Sequence, residues 1–176
     1  LGIAVESPYP KEYFTRDRVE LMKSDEEKIK EHFRDSFNEA HRHVNRMSRE
    51  NPEFSGMGCA LIMAFVTKGK LHTYHVGDVR CYVCNPAGIL KLTNDHTHVA
   101  DLVRAGQMTE EEARKSHLRN LLTQSMGISG PIAPEYNTHV LLENERVLLC
   151  SDGLWDMVSD KEIHEILTTR QDVATC

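Results

Sequence analysis

The sequence has no apolar run near the roughly 20 residues that span a bilayer, and its first residues lack the order of a signal peptide. It has no basic block either: acidic and basic side chains are mixed along the chain, for a net charge of −6. A phosphate-backbone partner requires a concentrated basic face, so no nucleic-acid partner is expected. There is no internal repeat and no low-complexity segment. A Walker loop, a G-x-S-x-G elbow and an H-E-x-x-H pair are all missing. Cysteine is sparse and odd in number, five in 176 residues, which does not make a disulfide framework. Cys59 and Cys150 fall in apolar runs, where a thiol behaves as a small hydrophobe. Cys81-Tyr-Val-Cys84 has C-x-x-C spacing, but on a strand those side chains point to opposite faces, so a zinc or thiol role ranks lowest. A reduced, cytoplasmic protein without a membrane span is expected.

What is present suits one globular domain. Hydrophobic residues make up 40% and charged residues 27%. The length allows a real core, and a monomer is expected. Residues 1–22, with Pro8 and Pro10, read as an irregular connector. Ser24-Asp25-Glu26-Glu27 forms a capping box. The helix it opens carries Ile29, Phe33, Phe37, Ala40, Val44 and Met47 at alternating spacings of three and four, and Pro52 ends it. Residues 59–66 read as a strand buried on both faces, 71–76 as a second strand, 80–84 as a third and 89–92 as a fourth. Tight turns between them predict an antiparallel meander. Residues 98–105 predict a helix stopped by Gly106, and Thr109-Glu110-Glu111-Glu112 caps another towards Ser116, with helical character reaching Met126. Residues 138–142 and 146–150 predict a hairpin, and Ser159-Asp160-Lys161-Glu162 caps a last helix. The order predicts sheets covered by helices.

Three places could carry chemistry. The apolar run Val147-Leu148-Leu149-Cys150 ends abruptly in Ser151-Asp152-Gly153. A carboxylate at a strand end, beside a residue that bends freely, is placed to hold a hard cation, although Asp-Gly also makes plain turns. Asp156 reads equally as a helix cap or a solvated turn residue. Gly77-Asp78-Val79-Arg80 lies between two apolar strands, as a bulge or turn with Arg80 paired to a nearby acid. In Leu92-Thr93-Asn94-Asp95-His96, Asp95 can receive hydroxyl or backbone hydrogen bonds. The ten histidines show no metal-ligand spacing and read mostly as surface or hydrogen-bonded core residues.

Taken in order, these motifs resemble a known family. Gly56-Met57-Gly58-Cys59-Ala60, His75-Val76-Gly77-Asp78-Val79-Arg80, Leu92-Thr93-Asn94-Asp95-His96, His117-Leu118-Arg119-Asn120 and Ser151-Asp152-Gly153-Leu154-Trp155-Asp156 look like the series of protein phosphatase 2C in its compact bacterial style. The resemblance covers residues 24–176. It implies an α/β (α+β) fold, an antiparallel β-sandwich flanked by helices on both faces, with 1–176 as one incomplete catalytic domain. It implies hydrolysis of phosphoserine and phosphothreonine in proteins by a metal-activated water, with two, in some members three, Mn²⁺ or Mg²⁺ ions. By the same resemblance Asp152 is a metal ligand, Asp78 helps hold the third and weaker ion, and Ser151, Gly153 and Asp156 support them. Residues 97–120, with Thr97, His117, Arg119 and Asn120, match a helical flap beside the active site. The implied partners are phosphorylated proteins, substrates of a Ser/Thr kinase.

The departures from the pattern are specific. No Asp-Gly-x-Gly-Gly signature, acidic strand or phosphate-binding arginine occurs before the long helix, and no Asp-Asn motif follows the last one. Val79 stands where serine is usual, and Cys59-Ala60 where Thr-Thr is common. Two classes of protein fit this: a piece of an active phosphatase, or a pseudophosphatase that keeps the fold as a phosphoprotein-binding or regulatory module.

Overall fold

The computed structural model describes residues 26–169. The predicted connector and the Ser24 cap lie outside the described residues. The first helix, α1 (Glu26–Glu50), buries Ile29, Phe33, Phe37 and, one turn further, His41. Its apolar stripe lies on the outer face of a sheet, where Phe37 meets Tyr74 edge-on at 4.9 Å and Phe33 stacks on it at 5.9 Å. Each such fully buried side chain contributes about 1.5–3 kcal/mol. A short 3₁₀ turn (Pro52–Phe54) follows, as the proline demands.

Strands β1 (Leu61–Thr67) and β2 (Lys70–Val76) form a hairpin. Both turn residues, Lys68 and Gly69, have positive φ (50° and 73°), which matches the twist of the flanking strands. The next strands, β3 (Arg80–Asn85) and β4 (Gly88–Lys91), also pair with each other. Later strands complete two antiparallel sheets: β5 (Glu135–Val140) joins β2 to give the order β1-β2-β5, and β6 (Arg146–Cys150) joins β3 to give β4-β3-β6. Leu71, Cys81 and Val83 fill the space between them, with Ile62, Leu92 and Leu141 around the margin. Two helices, α2 (His98–Arg104) and α3 (Glu110–Lys115), lie in the excursion between β4 and β5. After β6 come a single turn, α4 (Asp152–Trp155), and α5 (Asp160–Thr169), which lies against β3 and β4. The sandwich with a helix on each outer face is therefore as predicted.

Four expectations need correction. The predicted meander is two hairpins in different sheets, because the chain changes layer at Gly77-Asp78-Val79 instead of turning back. The predicted hairpin of the fifth and sixth strands is a second layer change: β5 pairs with β2 and β6 with β3. Alternating side chains specify a strand's faces but not its neighbour, and both errors have that cause. The first strand is not buried on both faces: it is a sheet edge, and Ala64 and Val66 on its inner face are exposed. The predicted helical character of residues 121–126 is also absent, since Leu122 and Met126 form β-bridges to Thr97 and Cys59. Among the described residues no helix is long and apolar enough to cross a membrane.

Candidate functional site

Strand register places Asp78 and Asp152 together. The last pair of the β3–β6 ladder is Arg80 with Cys150. Asp78 lies two residues before the first and Asp152 two residues after the second, so both stand just past the same end of one antiparallel ladder. Asp78 is 9% exposed, whereas Asp152 begins α4 in solvent. Burial raises the Asp78 carboxyl above its ordinary value, and the negative charges of Asp152 and Asp95 add to the rise against a hydrogen bond from its own backbone. Among the described residues neither Asp78 nor Asp152 is in an ion pair. Two neighbouring carboxylates outside any ion pair, one dry and one wet, with only the longer-range charge of Arg80 acting on Asp78, have the donor chemistry of a hard oxygen-seeking ion.

A polar frame fixes the two chain segments against each other. Arg80 donates to both oxygens of Asp95, from Nε at 3.1 and 3.2 Å and from Nη2 at 2.6 Å. It also donates to the Tyr82 hydroxyl at 3.0 Å, which donates in turn to Asp160 at 3.0 Å. The guanidinium lies 3.7 Å from the centre of the Trp155 ring, a cation–π contact. The Trp155 indole N–H donates to the Asp78 carbonyl at 3.0 Å. Burial opposes the charge on Arg80, but Asp95 outweighs it and raises the guanidinium pKa further. The predicted pairing of Arg80 with a nearby acid is thus found, and the acid is Asp95.

Gly77 is held on the other side. Its φ is +96°, and a Cβ there would lie 2.5 Å from that of Ala60, so no other residue fits unchanged. Gly77 N–H donates to Nδ1 of His96 at 3.2 Å, and His96 N–H donates back to Gly77 O at 3.0 Å. His75 stacks on His96 at 4.8 Å with the rings 18° apart, and its Nε2 bonds Asn94 O at 2.9 Å. Burial first, then His75, lower the His96 pKa. Glu135 closes this group: its ligand atom and those of the two histidines lie within 4.8 Å of one another. The arrangement does not suit a metal. An ion lies near the plane of each imidazole it binds, and nearly parallel stacked rings aim their lone pairs side by side. His96 Nδ1 is moreover an acceptor here, which leaves the ring proton on Nε2, the atom facing Glu135 Oε2 at 3.9 Å.

The other predicted residues surround this edge. Thr97 caps α2 through its hydroxyl, which accepts from Ala100 N–H at 3.2 Å. Bonds from Thr123 N–H to His96 O and from His98 N–H to Leu121 O bring residues 97–120 back to their starting point. Arg119 reaches Asp156 at 3.4 Å, joining that excursion to the turn after α4. His117 and Asn120 are exposed. Ser151 stands at the N-cap of α4 but makes no side-chain cap bond, and a Cβ at Gly153 would meet only the Ser151 hydroxyl oxygen at 3.6 Å. The bending freedom expected of Gly153 is therefore not used. Cys81 and Cys84 are both buried and free, and burial pushes the Cys81 thiol up to about 12. Sequence reasoning missed His96 and His75 as braces of Gly77; the signal was the proximity of each to a suspected motif.

A family model described as protein phosphatase 2C matches residues 10–102, more than half of the chain. Protein phosphatase PhpP of Streptococcus pneumoniae is 35% identical over 120 residues, covering 68% of this chain and 49% of that protein. Among solved structures, the serine/threonine phosphatase of S. agalactiae superposes with a TM-score of 0.81 at 31% identity, over 85% of this chain and 62% of its own. The catalytic domain of PstP, solved with two manganese ions, gives 0.62 at 30% identity, over 71% of this chain and 51% of its own. The chain spans about half the length of the curated relatives it matches.

Proposed function

Because the chain belongs to the protein phosphatase 2C family, we propose that it forms one side of a metal-dependent centre that hydrolyses phosphoserine and phosphothreonine in proteins. Asp78 and Asp152 are the metal ligands this chain provides. The observation that carries the reading is the pair of carboxylates past one end of the β3–β6 ladder, without an ion pair among the described residues. Two or three Mn²⁺ or Mg²⁺ ions, bound there and by donors elsewhere in a longer chain, would polarise a phosphoryl oxygen and ease deprotonation of water.

The chain's own residues set the geometry of that edge. Trp155 holds the Asp78 carbonyl, and Arg80 holds Trp155 through its ring face. Ser151 links β6 to α4, which Asp152 begins and Gly153 continues. Residues 97–120 form the flap that shapes access for a phosphorylated protein, and Arg119 on Asp156 anchors it beside the ligands. Residues 1–176 are one catalytic domain in part, acting on products of a Ser/Thr kinase.

The test is Asp152→Asn in the full-length protein, with Mn²⁺ binding followed by electron paramagnetic resonance and hydrolysis by release of phosphate from a phosphothreonine peptide. Both should fall by about tenfold or more. Wild-type binding and hydrolysis in this variant would remove Asp152 from the metal site.

A further inference from the structure

We propose that His96 is a positioning residue for the Asp78 carboxylate, acting through the Gly77 peptide. His96 takes both polar groups of Gly77: the ring Nδ1 accepts its N–H at 3.2 Å, and the His96 amide donates to its carbonyl at 3.0 Å. On the far side of the aspartate, Trp155 Nε1 donates to the Asp78 carbonyl at 3.0 Å. Asp78 is thus gripped before and after its own α-carbon. The main chain therefore sets where the Asp78 α-carbon stands and which way its Cα–Cβ bond leaves the backbone.

Two strands flank the ring. His75 on β2 covers one face at 4.8 Å, and its Nε2 is engaged by Asn94 O at 2.9 Å. Glu135 on β5 faces the edge that carries the Nε2 proton, at 3.9 Å. Glu135 is itself held by the side-chain amides of Asn94 at 2.9 Å and Asn137 at 2.7 Å. His96 is 6% exposed and His75 is fully buried, so water does not compete for the Gly77 N–H. Packing alone would explain the burial of two rings. It does not explain why the one ring nitrogen facing Gly77 is an acceptor while the other is given a carboxylate. A second-layer contact that orients a ligand typically changes metal affinity 10–100-fold when removed.

This inference rests on Asp78 as a ligand, so the experiment separates the two. Full-length protein carrying Asp78→Asn, His96→Asn, His96→Gln or His96→Leu is titrated with Mn²⁺ by electron paramagnetic resonance, and melting temperatures are taken in chelator. Asparagine places an amide oxygen where Nδ1 stands and keeps the Gly77 acceptor; glutamine carries it one bond too far. The expected result is Mn²⁺ affinity within about twofold of wild type for His96→Asn and about tenfold weaker for His96→Gln and His96→Leu, at the site that Asp78→Asn abolishes. If His96→Leu does not fold, the two amides decide the matter between them. Asp78→Asn weak but His96→Gln unchanged overturns the role of His96 alone. Loss of affinity in His96→Asn equal to that in His96→Gln also overturns it. Unchanged binding in Asp78→Asn overturns the ligand reading on which it stands.

Discussion

Replacing Asp95 by alanine removes three contacts from one guanidinium, at 2.6, 3.1 and 3.2 Å. The Arg80 and Asp95 side chains are only 14% and 8% exposed, so water cannot take over. Arg80 is left charged and buried, with the Tyr82 hydroxyl as its remaining hydrogen-bond partner among the described residues. Breaking one side of such a pair costs about 3–5 kcal/mol, most of it from the stranded charge. Removing both charges tells that cost apart from simple loss of contacts. Arg80→Met with Asp95→Leu gives up the stacking on Trp155, about 1–2 kcal/mol, and the Tyr82 bond, about 1 kcal/mol. The double variant should therefore lose about 2–3 kcal/mol, no more than Asp95→Ala alone. Urea unfolding of the full-length protein in chelator, followed by far-ultraviolet circular dichroism at constant m-value, measures both. A double variant as destabilised as the two single changes added together would refute the stranded-charge reasoning.

Gly77→Ala forces a Cβ to within 2.5 Å of that of Ala60 at a φ of +96°, so it should cost about 2–4 kcal/mol in the same unfolding assay. A loss below about 0.5 kcal/mol would mean that the layer change relaxes freely. The pH dependence follows from Asp78, whose carboxyl lies above its ordinary value of 3.8 because of burial and then its acidic neighbours. The folded protein keeps that proton in a pH window where the unfolded chain has released it, so the site loses stability as pH rises through the window. In chelator, Asp78→Asn should melt a few degrees above wild type at neutral pH, with the gap closing below pH 3.8. Calorimetry that finds the variant less stable at neutral pH would contradict this.

Local signals in the sequence were strong where local physics decides the outcome. The stripe of Ile29, Phe33 and Phe37 is buried on one sheet as its spacing requires. Thr109 with Glu112 and Ser159 with Glu162 make their capping boxes. Strand partners were a different matter, since Val76 and Arg80 alternate correctly yet belong to different sheets. Asp78 and Asp152 could each be named from their motifs. The ladder that makes them neighbours is a contact between residues 70 positions apart, and no window of sequence contains it. His96 looked like a hydrogen-bonded core residue, which it is; that its acceptor serves the peptide before Asp78 depends on the turn of the Gly77 backbone.

The step between layers has a mechanical consequence. β2 ends at Val76 in one sheet, β3 starts at Arg80 in the other, and Asp78 rides the short bridge between them. Asp152 belongs to one sheet only, through β6. Any sliding of one sheet over the other therefore alters the gap between the carboxylates, as jaws follow the two arms of a caliper. The filling at Leu71, Cys81 and Val83 sets how far those arms travel. A methyl group removed there is felt at the rim as play in the jaws.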